Sequence, residues 1–421
     1  MTRVHIVGAG ISGLACAVRL ARLGHAVSLY EAAAQAGGRC RSYYDARLAR
    51  TIDNGNHLLL SANRAALSYV EEIGARATLV GPARATFPFV DLRTGERWTV
   101  RPNAGPIPWW ILSAKRRIPR TRPRSYLAGL RLAWAGAEDT VADLLDPDDP
   151  LWERFWAPLA VAALNTAPRE ASARLLWLVV RETFARGEAG CRPLIARDGL
   201  TASFVDPALG VLRERGAAVH FNRRLRRIEV SAERVVGLDF GERRVALEDG
   251  EWAVIALPPA VAGAVVPGLQ APEDACPIVN AHVRLPAPPP LPAGMRDDLP
   301  LLGLVGGTAH WLFVRGDVVS LTVSAADDLA EEPNDRLAAR FWADTAAALG
   351  LEPAPAPLVR VIKEKRATFA QTPQALRRRP PGRSAWHNLA LAGDWTDTGY
   401  PATIESAVRS GRVAARIVTR S

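Results

Sequence analysis

Gly8-x-Gly10-x-x-Gly13, with Glu31 beyond it, has the residue types and spacing to hold a dinucleotide. Gly8 permits a tight turn, Gly10 leaves bare backbone for a pyrophosphate, and Gly13 lets a helix pack closely on the preceding strand. Ile11 and Ser12 open that helix, whose unpaired N–H groups and positive dipole end suit phosphate. Glu31, followed by Ala32, stands near the expected ~20 residues downstream, where a carboxylate binds the ribose hydroxyls of an adenosine. A second group, Gly37-Gly38-Arg39-Cys40-Arg41, follows. Its glycines bring backbone close to a ligand, and Arg39 and Arg41 can reach phosphate or ribose oxygens. Alone, that group would read as an ordinary glycine loop with solvated arginines.

These residues need elements to position them. An apolar strand runs into Gly8, a helix follows, and a second strand ends on Glu31. Near the end of the chain, Leu389–Trp395 reads as a buried strand ending on Gly393-Asp394, and Thr403–Ala415 as a closing helix with small residues on one face. Between them the patterning predicts a helix through Leu209 and Leu212 and short β segments at Ala218–Asn222, Leu225–Val230 and Arg234–Phe240. Val254–Pro259 reads as a strand stopped by prolines. Tyr126–Arg186 is patterned as helix, as is Asn334–Leu349. Ala281–Leu285, His310–Val314 and Val318–Val323 alternate as strands. Gly303–Gly307 lacks a following helix and acid, so it reads as a turn. With no second nucleotide motif, reducing equivalents are expected from an external electron donor.

Composition is that of a globular protein: 421 residues, 48% hydrophobic and 23% charged, enough for two domains. Met1 leads almost directly into a core strand, which leaves no room for a signal peptide, and no run is long and apolar enough to span a bilayer. Cys16, Cys40, Cys191 and Cys276 are scattered without metal-ligand or CxxC spacing. A cytoplasmic chain with reduced thiols and no metal is expected. The formal charge of +10 favours anionic partners. No nucleic-acid motif accompanies it, so nucleic acid is rejected. Residues 106–134 instead place Trp109 and Trp110 beside a basic cluster, a combination suited to an anionic membrane surface. Leu127–Trp134 could lie flat there as an amphipathic helix. The plainer reading is a Trp-containing loop over the active site with a solvated basic rim.

Together, the Gly8–Glu31 unit, Gly37–Ser42 and the Gly393-Asp394 strand with its helix resemble the FAD-containing amine oxidase and carotenoid desaturase superfamily. The resemblance implies FAD as cofactor and an α/β fold. That fold has a Rossmann-like FAD/NAD(P)-binding domain of the glutathione reductase/amine oxidase type and a discontinuous α+β substrate domain. It assigns residues 1–85, 190–270 and 384–421 to the FAD domain, and 86–189 and 271–383 to the substrate domain. Gly38, Arg39 and Arg41 would lie along the pyrophosphate and ribose, and Leu225 would give backbone contacts to the adenine. Gly393 and Asp394 would contact the ribityl chain or pyrophosphate, and Pro401, Ala402 and Thr403 would turn the closing helix toward the flavin ring. Asn54, Gly55, Asn56 and His57 lie in a segment, Asp53–Ser61, that resembles the strand passing that ring.

Two segments narrow the resemblance. Leu164-Asn165-Thr166-Ala167-Pro168, an unusual helix break, and Asp397-Thr398-Gly399-Tyr400-Pro401-Ala402-Thr403 are similar to those of bacterial hydroxysqualene dehydroxylases of hopanoid pathways. That resemblance implies a long apolar isoprenoid substrate, loss of its allylic hydroxyl, and hydride from reduced FAD. With the charge and the Trp109-Trp110 stretch, the enzyme is expected peripherally on the inner face of the cytoplasmic membrane. A departing hydroxyl needs an acid within about 3 Å. His57 and Asp397 are the candidates, with Tyr400 as a polar or aromatic wall. Each has a plainer role, His57 as donor to a backbone carbonyl and Asp397 as cap of the closing helix or holder of its turn. A carotenoid-type desaturase, a flavin amine oxidase and a non-catalytic prenyl-binding protein are alternatives on the same fold.

Overall fold

Why the phosphate-binding residues meet follows from one sheet. The structure, a computed structural model, describes residues 2–353 and 355–420. Five parallel strands run in the order Ala218–His220, Ala26–Tyr30, Arg3–Val7, Trp252–Ile255, Leu389–Leu391. The apolar side chains of the three strands Arg3–Val7, Trp252–Ile255 and Leu389–Leu391 are buried on both faces, as a parallel sheet covered by helices requires. All five come from the segments 1–85, 190–270 and 384–421. Gly8, Glu31 and Gly393 therefore leave the same, carboxyl, edge, where open α/β sheets bind ligands.

Two helices cover this edge. The glycine-loop helix Ile11–Arg22 packs on the closing helix Ile404–Thr419, whose Ser406, Ser410, Gly411, Ala414 and Ala415 are buried. Their approach is close. A Cβ on Gly411 would stand 2.2 Å from the Ser12 carbonyl oxygen, so a side chain there would force the helices apart.

The second sheet has seven strands in the order Leu358–Phe369, Ala275–Arg284, Val318–Ser324, Trp311–Arg315, Leu301–Val305, Phe87–Asp91, Arg97–Val100. All its neighbours are antiparallel except Leu301–Val305 with Phe87–Asp91. One face is an apolar core of Val279, Ala281, Val283, Val319 and Leu321 against Leu337 and Phe341 of the helix Asn334–Leu349. The other face carries Asn280, His282, Ser320 and Thr322, all buried, and it turns toward the Asp53–His57 loop.

The structure corrects four sequence expectations. Gly303–Val305 is strand rather than turn, because Gly303 gives way to the Phe89 ring, whose Cδ1 a Cβ would meet at 2.3 Å. Asp53–Ser61 is strand only at its two ends, Arg50–Asp53 and Leu59–Leu60, and loop between. The span from Tyr126 to Arg186 is helical only in short pieces, with Ala128–Trp134 a 3-10 run; the break expected at Asn165 is there, as a left-handed residue (φ 46°). Finally, the closing helix is capped by Thr403, whose hydroxyl accepts from Ser406 N at 3.3 Å, whereas Asp397 holds the turn before it, its Oδ1 accepting from Gly399 N at 3.2 Å.

Candidate active site

The glycine loop shows which positions are full and which are open. Gly8 has φ +106° and lies against the Ala256 carbonyl, 2.4 Å from where a Cβ would stand. Gly13 is closer still, with the Gly8 oxygen 1.9 Å from its ideal Cβ. Gly10 is different: a Cβ there would meet nothing within 4 Å. It is also the N-cap of Ile11–Arg22, offers no capping side chain, and is followed by no acid in the first turn. The open space thus lies over N–H groups that this chain leaves to an anion.

Around that space the other predicted cofactor residues assemble. Glu31 Oε2 accepts from Ala9 N at 2.8 Å and Oε1 from Ala33 N at 2.9 Å, which orients the carboxylate at the edge of the glycine loop beside Ala32. The segment leading to Leu225 runs alongside: Arg223 N donates to the Glu31 carbonyl at 2.7 Å and Asn222 N to that of Ala33 at 3.1 Å. Leu225 itself is buried. Gly37 pairs with Gly10, its N donating to the Ala9 oxygen at 2.8 Å, and Gly38 (φ +58°) stacks against the Gly10 Cα. Arg39 then ties three distant segments, donating to Asp394 Oδ1 at 2.7 Å and to the Ala367 carbonyl. Burial opposes its charge, but the Asp394 carboxylate more than offsets this and holds the guanidinium above its usual value. Arg41 donates to the Gly38 carbonyl at 2.9 Å, while its buried Nε has no partner. Open space at Gly10 and an unpartnered guanidinium N–H beside it fit a bound pyrophosphate.

The residues expected near the flavin ring lie on two loops. Asn56 Nδ2 donates to Thr322 Oγ1 at 2.9 Å, and Asn280 Nδ2 donates to the Asn54 carbonyl at 3.3 Å. Gly55 fits because a Cβ would crowd Asn280 at 3.3 Å. Asn54 Nδ2 also donates to Glu364 Oε2 at 3.3 Å. Glu364 and Asn280 were absent from the sequence reading. Both sit on the polar face of the second sheet, and only strand register reveals that face. His57 is held below its ordinary value chiefly by burial, with the Asp53 carboxylate opposing and Arg39 reinforcing that effect, so it is neutral at neutral pH.

The second loop, Gly393–Thr403, is fastened by Arg379, which sequence reasoning also missed. Its buried guanidinium donates to the carbonyls of Asp394, Thr396 and Tyr400 and to Thr398 Oγ1. Burial lowers its pKa, partly offset by the charges of Asp397 and Asp394. Tyr400 has one ring face covered by Arg409, 3.9 Å from the centroid. Glu405 is structural: its carboxylate accepts from Ala65 N at 3.1 Å and Ala66 N at 2.8 Å, at the amino end of the helix Arg64–Glu72.

The structure does not bring His57 and Asp397 together. His57 lines a cavity of about 480 Å³ with Asp53, Ile195, Phe313, Arg315 and Ser320. Asp397 is exposed and lines another of about 650 Å³ with Leu132, Trp177, Leu376, Arg379 and Gly399.

A dinucleotide cradle at the carboxyl edge of a parallel sheet, closed by a late Gly-Asp turn and facing a second sheet, defines an FAD-dependent oxidoreductase of the amine oxidase fold. The comparisons agree. The family model described as flavin containing amine oxidoreductase matches residues 11–419. A hydroxysqualene dehydroxylase of Rhodopseudomonas palustris is 47% identical over 416 residues, 99% of this chain and 98% of the relative. One of Sinorhizobium fredii is 44% identical over 412 residues, 98% and 97% of the two chains. A zeta-carotene desaturase of Synechocystis is more distant, 24% identical over 99% of this chain and 97% of its own. Among solved structures, a putrescine oxidase variant superposes with a TM-score of 0.71 over the whole of both chains at 18% identity, a likeness of fold. The chain belongs to the flavin containing amine oxidoreductases and, within them, to the hydroxysqualene dehydroxylase family.

Proposed function

We infer that this protein is an FAD-dependent hydroxysqualene dehydroxylase, converting hydroxysqualene to squalene. The observation that carries the reading is the full-length kinship at 47% identity with a protein of that name, joined to an intact FAD cradle. In that reaction the allylic C–O bond breaks, the hydroxyl leaves as water, and the carbon gains the hydride that reduced FAD supplies when bound.

The chain's own part is to hold, orient and protonate. Arg39 and Asp394 fix the two halves of the cofactor cradle against each other. Arg379 and Gln371 hold the turn before the closing helix. The hydroxyl requires a proton at its oxygen, and His57 and Asp397 are the proposed donors, with Tyr400 as wall. Because those two line separate cavities, the cavity that receives the hydroxyl selects the acid. An allylic cation is captured by water unless water is kept out, so the apolar wall of Leu132, Trp177 and Leu376 is the part of this cavity suited to the isoprenoid chain.

Electrons come from an external donor in this reading, supported by the single nucleotide motif of the chain. Among the described residues no helix is long and apolar enough to cross a membrane. We place the protein peripherally on the inner face of the cytoplasmic membrane, a reading supported by its charge of +10 and its need for an apolar substrate.

The test is anaerobic. Dithionite-reduced holoenzyme is mixed with hydroxysqualene in detergent while flavin absorbance and extracted lipid are followed. Squalene forming as the flavin reoxidises is the expected outcome; reduced flavin with unchanged lipid overturns the reading.

A further inference from the structure

Exposed large apolar side chains are concentrated in one short stretch. Ile107, Trp109, Leu112, Leu127, Leu130 and Trp134 are all more than half exposed, Trp134 at 79%. Their neighbours anchor the stretch: Trp110, Ile111, Ile118 and Leu132 are buried in the aromatic core of the second domain. Gly129 lies directly on the Trp156 ring, whose Cη2 a Cβ would meet at 2.3 Å. With that side fixed inward, Leu127, Leu130 and Trp134 are left on the outside of this 3-10 stretch. The apolar projection is therefore held by packing and is no frayed loop.

Charge on the same face points to the partner. Between Arg97 and Ala137 there is no Asp or Glu, while Lys115, Arg116, Arg117, Arg120, Arg122, Arg124 and Arg131 fall within it. Among the described residues, only Arg120 of these seven has an acid partner, Glu96 at 3.5 Å. Tryptophan and leucine flanked by basic groups mostly without an acid partner match the interface of an anionic bilayer, where indole rings sit at headgroup depth and guanidinium groups meet lipid phosphate. This face also walls the 650 Å³ cavity: Leu132, Ala133 and Ala135, on either side of exposed Trp134, line it together with Asp397 and Gly399 of the turn before the closing helix.

We propose that residues 107–134 seat the protein on an anionic bilayer, and that the cavity behind them is the passage by which a long isoprenoid leaves the lipid and reaches the Asp397 turn. The docking half rests on the exposed apolar and basic face alone; the passage half rests also on the isoprenoid reading above.

The experiment floats the FAD holoenzyme with vesicles of phosphatidylcholine alone or mixed equally with phosphatidylglycerol, at low and high salt. Binding to the anionic vesicles that weakens with salt is expected. Trp109→Ala with Trp134→Ala should lower partitioning at least tenfold. Arg122→Gln, Arg124→Gln and Arg131→Gln together should lower it about 100-fold, at roughly fivefold for each charge. Turnover of substrate presented in vesicles should fall in parallel, and turnover in detergent micelles should not change. Ala135→Trp should instead leave flotation intact and lower kcat/KM at least tenfold in both presentations. Equal binding to neutral and anionic vesicles, or variants that float like the parent, overturns the docking. If the tryptophan substitutions convert a dimer to a monomer and the parent does not float, the face is an interface between copies and the docking is likewise overturned. Unchanged kcat/KM in Ala135→Trp overturns the passage. A parent inactive in micelles defeats the isoprenoid reading and leaves the flotation result standing.

Discussion

Gln371 Oε1 accepts a hydrogen bond from Ala402 N at 2.8 Å, while its Nε2 donates to the carbonyl of Leu164. Its own backbone N donates to Thr166 Oγ1 at 2.9 Å. One fully buried amide therefore joins the helix break at Asn165-Thr166 to the turn ahead of the closing helix. Asn165 completes the junction, donating to the Cys276 carbonyl at 3.1 Å and to Thr368 Oγ1 at 3.0 Å. The two segments that look unusual in the sequence are the two sides of one hydrogen-bonded joint.

Gln371→Leu should expose that joint. It strands the buried Ala402 N–H, at about 1–3 kcal/mol for a group left without a partner, and leaves the Leu164 carbonyl with Thr166 Oγ1 alone. Thermal unfolding of the holoenzyme should drop by several degrees, and FAD should be lost more readily on gel filtration. An unchanged melting temperature would refute the role given to Gln371.

Removing Arg39 tests the cradle itself. Arg39→Ala breaks a 2.7 Å charge-assisted contact to Asp394 and a bond to the Ala367 carbonyl, and leaves the buried Asp394 carboxylate unpaired. At about 1.5–3 kcal/mol for such a bond, FAD affinity should fall on the order of 10- to 100-fold. Titration of apoprotein with FAD, followed by flavin fluorescence, measures it.

Glu405 separates structure from catalysis. Its carboxylate caps the amino end of Arg64–Glu72 and pairs with Arg409 at 2.7 Å. Glu405→Ala should cost about 1–2 kcal/mol in urea unfolding while kcat per bound flavin stays the same. A collapse of kcat at full flavin occupancy would instead place Glu405 in the reaction.

Two buried histidines make stability fall with acidity. Burial pushes His282 and His310 down from 6.5 to about 4. Between those values the unfolded chain binds protons that the folded chain refuses, so their contribution is complete above pH 6.5 and is lost as pH falls toward 4. The full loss is on the order of 3 kcal/mol for each histidine, of which about 2 kcal/mol is reached by pH 5. Urea midpoints at pH 7.5 and pH 5 should differ accordingly, and His282→Gln with His310→Gln should flatten that difference.

The choice of acid has its own readout. His57 is neutral at neutral pH because burial lowers its pKa, so a proton donated as imidazolium would give a rate that falls as pH rises through a value below 6.5. If Asp397 donates, Asp397→Asn should lower kcat by about 10²–10⁴-fold and His57→Gln should leave it within a few-fold. The reverse pattern, with that acidic limb, assigns the proton to His57.

Much of the FAD domain was legible because its signals are local. Gly8, Gly10 and Gly13 are read from one turn of chain, and the helix Asn334–Leu349 appears with the bounds its periodicity implies. Strands were legible wherever one face is uniformly apolar, as in Val318–Ser324, although the alternation could not say that Ser320 and Thr322 face the Asn56 loop and not solvent. The Gly303 strand was misread because its glycine answers to Phe89, more than 200 positions away in sequence, and no local rule contains that contact.

The sequence by itself determined the nucleotide cradle, the cofactor class and the family, since these depend on backbone turns and on residues whose spacing along the chain is the functional quantity. Tertiary structure alone decided the rest. It joined Gln371 to Ala402 and Glu364 to Asn54, fastened the Gly393–Thr403 loop to Arg379, and put His57 and Asp397 in different cavities. It also turned Leu127, Leu130 and Trp134 outward by packing Gly129 on Trp156. Each of these is a contact between segments far apart in the chain, fixed by strand register and close packing, and neither is a property of any one stretch of residues.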